Sequence, residues 1–310
     1  MLKIEKDVTS KLTYIGIDLG GARGKTTAVA RLTADVCADS GRALGPVRVQ
    51  DVQARYRDHQ PWCNQSLVDY LGDRDDSPTV AINAPLTLPA CLRCDLAECP
   101  GQAQCADPAV VWLREAGAEM VEQAVAQDLD RIAAIPATTG FVKRSVSRGR
   151  TKRPTLLPYA HRISEVVLHY KRGLVPRDLI GKASGPIAAR AVQLRRRLAP
   201  MGYKLNDTLL EVSPRATVHA LFGRDKARGY KRDADPWETR ASIVEGLDMI
   251  FDVTSRLSRE EVLRNDHCFE ALLSGYSAFL RHRDGWTEPA DATDDAWQTD
   301  GLVWAPPTSR

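Results

Sequence analysis

Three runs of apolar and β-branched residues open the chain. Residues 13–18 (TYIGID) alternate apolar and small side chains and predict a strand, and 26–34 (TTAVARLTA) and 47–56 (VRVQDVQARY) repeat the pattern. Gly20, Gly21 and Gly24 make the first break a turn, so the runs predict an antiparallel meander. A short helix follows over 65–73 (QSLVDYLGD), then a buried strand over 79–86 (TVAINAPL) that Pro85 ends. Val110, Leu113, Gly117, Met120 and Ala124 recur at alternating three-and-four spacing and predict a helix over 107–129, begun by Asp107-Pro108.

Residues 136–158 are rich in Pro, Gly, Ser, Thr and basic side chains and predict a loop. Helices are predicted near 159–172, 186–199, 236–254 and 266–282, with strands at 209–214 (LLEVSP) and 301–306 (GLVWAP). A meander followed by alternating strands and helices predicts an α/β fold, a mixed sheet covered by helices. No internal repeat or low-complexity block divides the 310 residues. One domain over 1–310 is expected, with 90–106 an inserted cysteine loop and 284–310 an acidic segment that ends in a closing strand.

Composition narrows the class. Hydrophobic content of 43% and charged content of 27% are ordinary for a globular protein. The start, MLKIEKDVTSK, has no apolar core of a signal peptide, and no stretch approaches the length of a membrane span. A cytoplasmic protein is expected. The net charge of +3 hides an asymmetry: 140–200 carries fifteen Lys or Arg against Glu165 and Asp178, whereas 284–300 carries six acids and no Lys or Arg. An anionic partner for the middle is implied; the tail either stays solvated or folds over the basic surface.

Three acids stand at predicted element ends. Asp18 closes the first strand ahead of Gly20 and Gly21, where a carboxylate suits Mg²⁺ near a phosphate; a turn aspartate capping backbone is the plainer account. The P-loop is excluded, because three residues separate Gly20 from Gly24-Lys25-Thr26 where that motif needs four. The phosphate loop of actin-like sugar kinases is a closer rival, since IDLGG suits it. Glu211 ends the apolar run Thr208-Leu209-Leu210 and is followed by Val212-Ser213-Pro214; an exposed edge residue is the plainer account. Asp266 opens a helix and shares a face with Glu270, four residues on, although helix capping explains that pair equally well. Ser274 and Gly275 continue the face and are small enough for close packing on a sheet. Such a carboxylate set is what two-metal phosphodiester hydrolysis requires.

IGIDLGG at 15–21, AINAPLTLP at 81–89, LLEVSPRATVHAL at 209–221 and DHCFEALLSGYSAFL at 266–280 fall in a recognisable order. In that order they resemble the predicted nucleases numbered 429 among the domains of unknown function, and GLVWAP resembles that family's last strand. The resemblance spans nearly the whole chain. It implies a ribonuclease H-like core with Asp18, Glu211 and Asp266 as catalytic acids holding Mg²⁺ or Mn²⁺. Asn83 departs from the family pattern, which has an acid there. An amide is a weaker, neutral oxygen ligand, so the resemblance leaves this site one acid short.

Cys91, Cys94, Cys99 and Cys105 lie within fifteen residues of a seven-cysteine chain. Without a secretion signal, the cluster reads as a metal site for structural zinc or an iron–sulfur cluster. Reduced thiols packed as small hydrophobes fit poorly among Arg93, Asp95, Glu98 and Gln102. Lys143, Arg144, Arg148, Arg150, Lys152 and Arg153 in one loop, and Arg195, Arg196 and Arg197 at a helix end, suit phosphate contacts; solvated surface and a favourable helix-end charge are the alternative. The expectation is a metal-dependent nuclease on DNA or RNA. A non-catalytic nucleic-acid binder and an actin-like ATP-dependent phosphotransferase remain open.

Overall fold

The computed structural model describes residues 8–21, 26–74, 76–127, 156–172, 184–252, 256–287 and 294–307. Seven strands form one mixed sheet in the order β6-β3-β2-β1-β4-β5-β7. β1 (Val8–Asp18), β2 (Ala28–Cys37) and β3 (Val47–Gln53) make the antiparallel meander that their alternating patterns predict. β4 (Thr79–Ile82), β5 (Leu209–Val212) and β7 (Val303–Trp304) continue from β1 in parallel. β6 (Met249–Phe251) adds to β3, also in parallel.

Eleven helices are described: α1 (Asn64–Gly72), α2 (Pro108–Arg114), α3 (Ala116–Gln127), α4 (Ile163–Arg172), α5 (Gly185–Leu198), α6 (Pro214–Phe222), α7 (Arg224–Arg232), α8 (Pro236–Glu245), α9 (Arg256–Arg264), α10 (Asp266–Asp284) and α11 (Asp294–Asp300). Among the described residues no helix is long and apolar enough to cross a membrane.

Where the pattern misleads, local causes are visible. The helix expected over 107–129 is two helices broken at Glu115, whose φ of −103° and ψ of −88° leave the helical region. Past the break, Gly117 has room for no side chain: a Cβ there would lie 2.9 Å from the Trp112 ring. The helix expected over 236–254 stops at Gly246, and Met249–Phe251 pairs with β3 instead. After β5 the sequence suggests only a turn, yet Ser213 caps α6 by accepting from Ala216 N–H, with Pro214 at the first helical position.

The chain divides into two compact units where the sequence leads one to expect a single domain. One comprises Met1–Ala84, Gln193–Thr287 and Val303–Arg310 and holds the whole sheet; the other comprises Pro85–Val192 and Glu288–Leu302. In the first, α10 lies on β1 and β2, and its residues from Cys268 to Leu280 are buried. Two glycines allow it. A Cβ on Gly16 would stand 2.0 Å from the Ala271 carbonyl and 2.3 Å from Gly275 N, and one on Gly275 would meet Leu32 at 2.5 Å. Helix and strand therefore touch backbone to backbone, which brings the first turn of α10 to the end of β1.

The second unit packs α2, α3, α4 and α11 together. Its interior is not purely apolar. Arg162, which precedes α4, and Glu165, in its first turn, form a buried ion pair, and Arg162 also donates to Thr87 Oγ1 at 2.7 Å. The acidic segment does not stay wholly in solvent: Asp300 is fully buried, accepting from Ile163 N–H and from Arg93.

Candidate active site

The parallel register lines up strand ends. Ile17 pairs with Ile82, and Asn83 N–H donates to the Ile17 carbonyl at 2.8 Å. Asp18 and Asn83 thus leave adjacent strands side by side, at the carboxyl ends where α/β sheets bind ligands. The first turn of α10 arrives at the same place. Asn265 caps it through His267 N–H at 3.0 Å, and Asp266, His267 and Glu270 follow within five residues.

These side chains form one network. Asn83 Nδ2 donates to Asp18 Oδ1 at 2.7 Å and reaches Glu270 Oε2 at 3.4 Å. His267 Nδ1 lies 2.7 Å from Asp18 Oδ2; a carboxylate only accepts, so Nδ1 carries the proton. That bond, opposed by burial, raises the pKa of His267 and favours its cationic form. Glu270 accepts from Tyr230 Oη at 2.8 Å and pairs with Lys231 Nζ at 2.7 Å, and Lys231 stands 3.6 Å from Asp266 Oδ2. Burial, then the neighbouring Glu270, holds the Tyr230 phenol well above its usual value, so it remains a donor. Asp18, Asn83 and Glu270 are each at most 5% exposed, whereas the side chains of Lys231 and His267 are 39% and 31% exposed.

Asp18, Asn83, Asp266 and Glu270 are therefore brought together. Glu211 is placed differently. It pairs laterally with Ile82, which pairs with Ile17, and in parallel strands such partners share a face. Asp18 and Asn83 share the other face with Gly16, under α10. Glu211 is buried at the end of β5, but strand alternation turns it away from the face that carries Asp18.

Among the described residues no three His, Cys, Asp or Glu side chains stand in an arrangement that would hold a metal ion as they are. Around Asn83 the reason is visible. The amide nitrogen bridges Asp18 and Glu270, and the Lys231 ammonium bridges Glu270 and Asp266, so donors hold the places of cations. The donor set is nonetheless hard oxygen, which suits Mg²⁺ or Mn²⁺. Turning the Asn83 amide over presents its oxygen at the bridging position, and Lys231 is exposed enough to swing aside.

The cysteine loop lies in the second unit. Cys91, Cys94 and Cys99 are exposed, Cys105 is half-buried, and all four are free. Two arginines pin the loop: Arg93 pairs with Asp107 and Asp300, and Arg114 Nη1 donates to the carbonyls of Gln102, Ala103 and Cys105. Burial raises the pKa of Cys91, and Cys105, Cys99, Cys94 and Asp107 raise it further. A soft cation would relieve that repulsion.

Of the basic residues, Lys143, Arg144, Arg148, Arg150, Lys152 and Arg153 lie outside the described residues. Arg195, Arg196 and Arg197 occupy the last turn of α5, where the helix dipole favours them, and Arg197 also donates to Gln65 Oε1 at 2.6 Å. His267, Tyr230 and Lys231 belong to the network although sequence reasoning misses them. His267 stands beside Asp266 in the same motif and is legible there; Tyr230 and Lys231 sit in RDKARGYKR, a basic stretch to which the sequence reading assigns no element and no role. Comparison with known proteins found no matching family model, no matching curated protein and no matching solved structure.

Proposed function

We propose that this chain is a divalent-metal-dependent phosphodiesterase acting on nucleic acid, built on a ribonuclease H-like core and akin to the predicted nucleases that its motifs resemble. The observation that carries the reading is the meeting of Asp18 and Glu270 around the Asn83 amide, with Asp266 joined to Glu270 through Lys231, where β1 and β4 end and α10 begins. The meander-first sheet, extended in parallel from β1 and crossed by a late helix over β1, supports it. Bound Mg²⁺ or Mn²⁺ would supply charge neutralisation and a more acidic water. Asp18, Glu270 and Asp266 would hold it, with Asn83 as a neutral oxygen ligand. Asp18 orients His267 through Nδ1 and favours its cation, which leaves Nε2–H to give a proton to the leaving oxygen. Tyr230 fixes the rotamer of Glu270, and Lys231 offsets phosphate charge. Glu211, on the other strand face, takes a supporting place in this reading. A structural zinc or iron–sulfur centre on Cys91, Cys94, Cys99 and Cys105, and a cytoplasmic setting, go with it.

The test is cleavage of single- and double-stranded DNA and RNA with Mg²⁺ or Mn²⁺. Asp18→Asn should remove activity by at least about a hundredfold, because it takes away one of three charged ligands. Asn83→Asp should lower the metal concentration needed. A wild type that never cuts while Asn83→Asp does would make the chain a binder on a nuclease frame. If neither cuts and ATP with Mg²⁺ raises the melting temperature, the phosphotransferase reading of IDLGG replaces this one. Metal analysis of reduced protein should find about one zinc, or iron with sulfide, per chain.

A further inference from the structure

α8 and α9 flank an open cavity of about 570 Å³ lined by Pro236, Trp237, Arg240, Glu260, Leu263 and Arg264. Its charges are unevenly matched. Arg240 is only 6% exposed, yet no carboxylate pairs with it among the described residues. Its Nε donates to the Tyr230 carbonyl at 2.8 Å and its Nη1 to the Leu263 carbonyl at 2.9 Å, and no described group accepts from its Nη2. A largely buried guanidinium with one nitrogen left open and no carboxylate in direct contact gains from an anion that reaches it. Burial lowers its pKa, opposed by the more distant charges of Asp266 and Glu270. Arg264, exposed and in no described ion pair, adds a second positive group. Trp237 lies 50% exposed on the same lining, which is unusual for so large an apolar ring. Glu260, the one acid, faces solvent, where its charge is screened.

We propose that this cavity is a nucleotide subsite, in which Arg240 Nη2 and Arg264 hold a phosphate and the Trp237 indole stacks on its base. The volume accommodates one nucleotide. The neighbourhood fits a strand: Arg264 precedes Asp266 by two residues, and Tyr230, whose carbonyl anchors Arg240, donates its hydroxyl to Glu270. The inference deepens the proposed function, on which it rests for the identity of the phosphate's parent, by naming a single-stranded segment as the substrate. A planar stacking partner and a phosphate clamp need an unpaired base.

The experiment is calorimetric titration of the full-length protein with 5′-AMP, adenosine and inorganic phosphate, with a short oligothymidylate as competitor. 5′-AMP should bind more tightly than either fragment, and the oligonucleotide should displace it. Trp237→Ala should weaken 5′-AMP about tenfold, the size of one base–aromatic stack. Arg264→Ala should weaken it and flatten its salt dependence. Both changes lie on the cavity lining outside the core, so an unchanged melting temperature verifies the fold, whereas Arg240 also holds two backbone carbonyls and is left intact. Equal affinity in wild type and both variants, or phosphate binding as tightly as 5′-AMP, overturns the subsite. Binding of 5′-AMP that the oligonucleotide cannot displace overturns the strand. Cleavage is assayed apart from this: Trp237-dependent binding without cutting leaves the subsite and ends the nuclease reading, and cutting without Trp237-dependent binding does the reverse.

Discussion

Two groups of buried carboxylates in this chain are neutralised in opposite ways. In the second unit, Asp300 and Glu165 meet arginines; Arg162 is 1% exposed and fixed by Glu165 and Thr87, and Arg93 ties Asp300 to the base of the cysteine loop. In the first unit, Asp18 and Glu270 are as deeply buried, but their cations, His267 and Lys231, are partly in solvent, and the group between them is a neutral amide. A rigid guanidinium with two or more bonds cannot leave without exposing its acid. A lysine on a flexible stem can. Locked charge builds a core, and exchangeable charge builds a site.

Breaking the locked cluster should have the larger effect. Arg162→Met leaves Glu165 charged in an apolar setting and should lower stability by about 3–5 kcal/mol, read from denaturant midpoints. A loss below about 1 kcal/mol would mean that the pair is not what holds α4. Next comes pH. Burial pushes the Asp300 carboxyl up to about 6 from 3.8, in spite of Arg162 and Arg93. The folded state then holds its proton more tightly than the unfolded one. The resulting stabilisation is full below 3.8 and is lost as pH rises through about 6. Relative to Asp300→Asn, the wild type should lose at most about 3 kcal/mol over that window and stay flat above it. No such drift would show that the arginines keep Asp300 ionised throughout.

The open cluster should barely notice the matching change. Lys231→Met should alter stability by less than about 1 kcal/mol, since the ammonium is substantially exposed and Glu270 keeps Tyr230 and Asn83. It should, however, enlarge the rise in melting temperature caused by Mg²⁺, because the competing cation is gone. A variant that unfolds like Arg162→Met would erase the contrast. Smallest of all is the effect expected at the end of α5. Replacing Arg195, Arg196 and Arg197 with alanine should reduce the logarithmic salt slope of oligonucleotide binding by about 0.9 for each phosphate that these arginines neutralise. An unchanged slope would leave these residues to the helix dipole.

What the sequence disclosed follows the range of the interactions involved. The meander was legible because period-two alternation is local, the acids at 18 and 266 were legible because each stands at an element end, and Glu270 because it follows Asp266 by four residues on one helical face. Tyr230 and Lys231 were not, since only the packing of α7 against α8, with Tyr230 turned to Glu270, lifts two residues out of a basic helix. The face that Glu211 occupies needed the pairing of β5 with β4, which no single strand encodes. β6 was hidden by its three-residue length and by an apolar run, Ile243 to Ile250, that continues a helical pattern past Gly246.

The backbone contact between Gly16 and Gly275 sets a tolerance for everything at the other end of α10. Nine residues separate Gly275 from Asp266, roughly 13 Å along the helix. A methyl group at either glycine would push the helix outward or along its axis, and with it Asp266, His267 and Glu270 as a rigid set, while Asp18 and Asn83 stayed with the sheet. The gap between the two halves of the site is thus gauged by two hydrogens remote from it. Alanine at 275 would act as a misalignment rather than a missing ligand, leaving every acid present but Asp18 out of reach of Asp266 and Glu270.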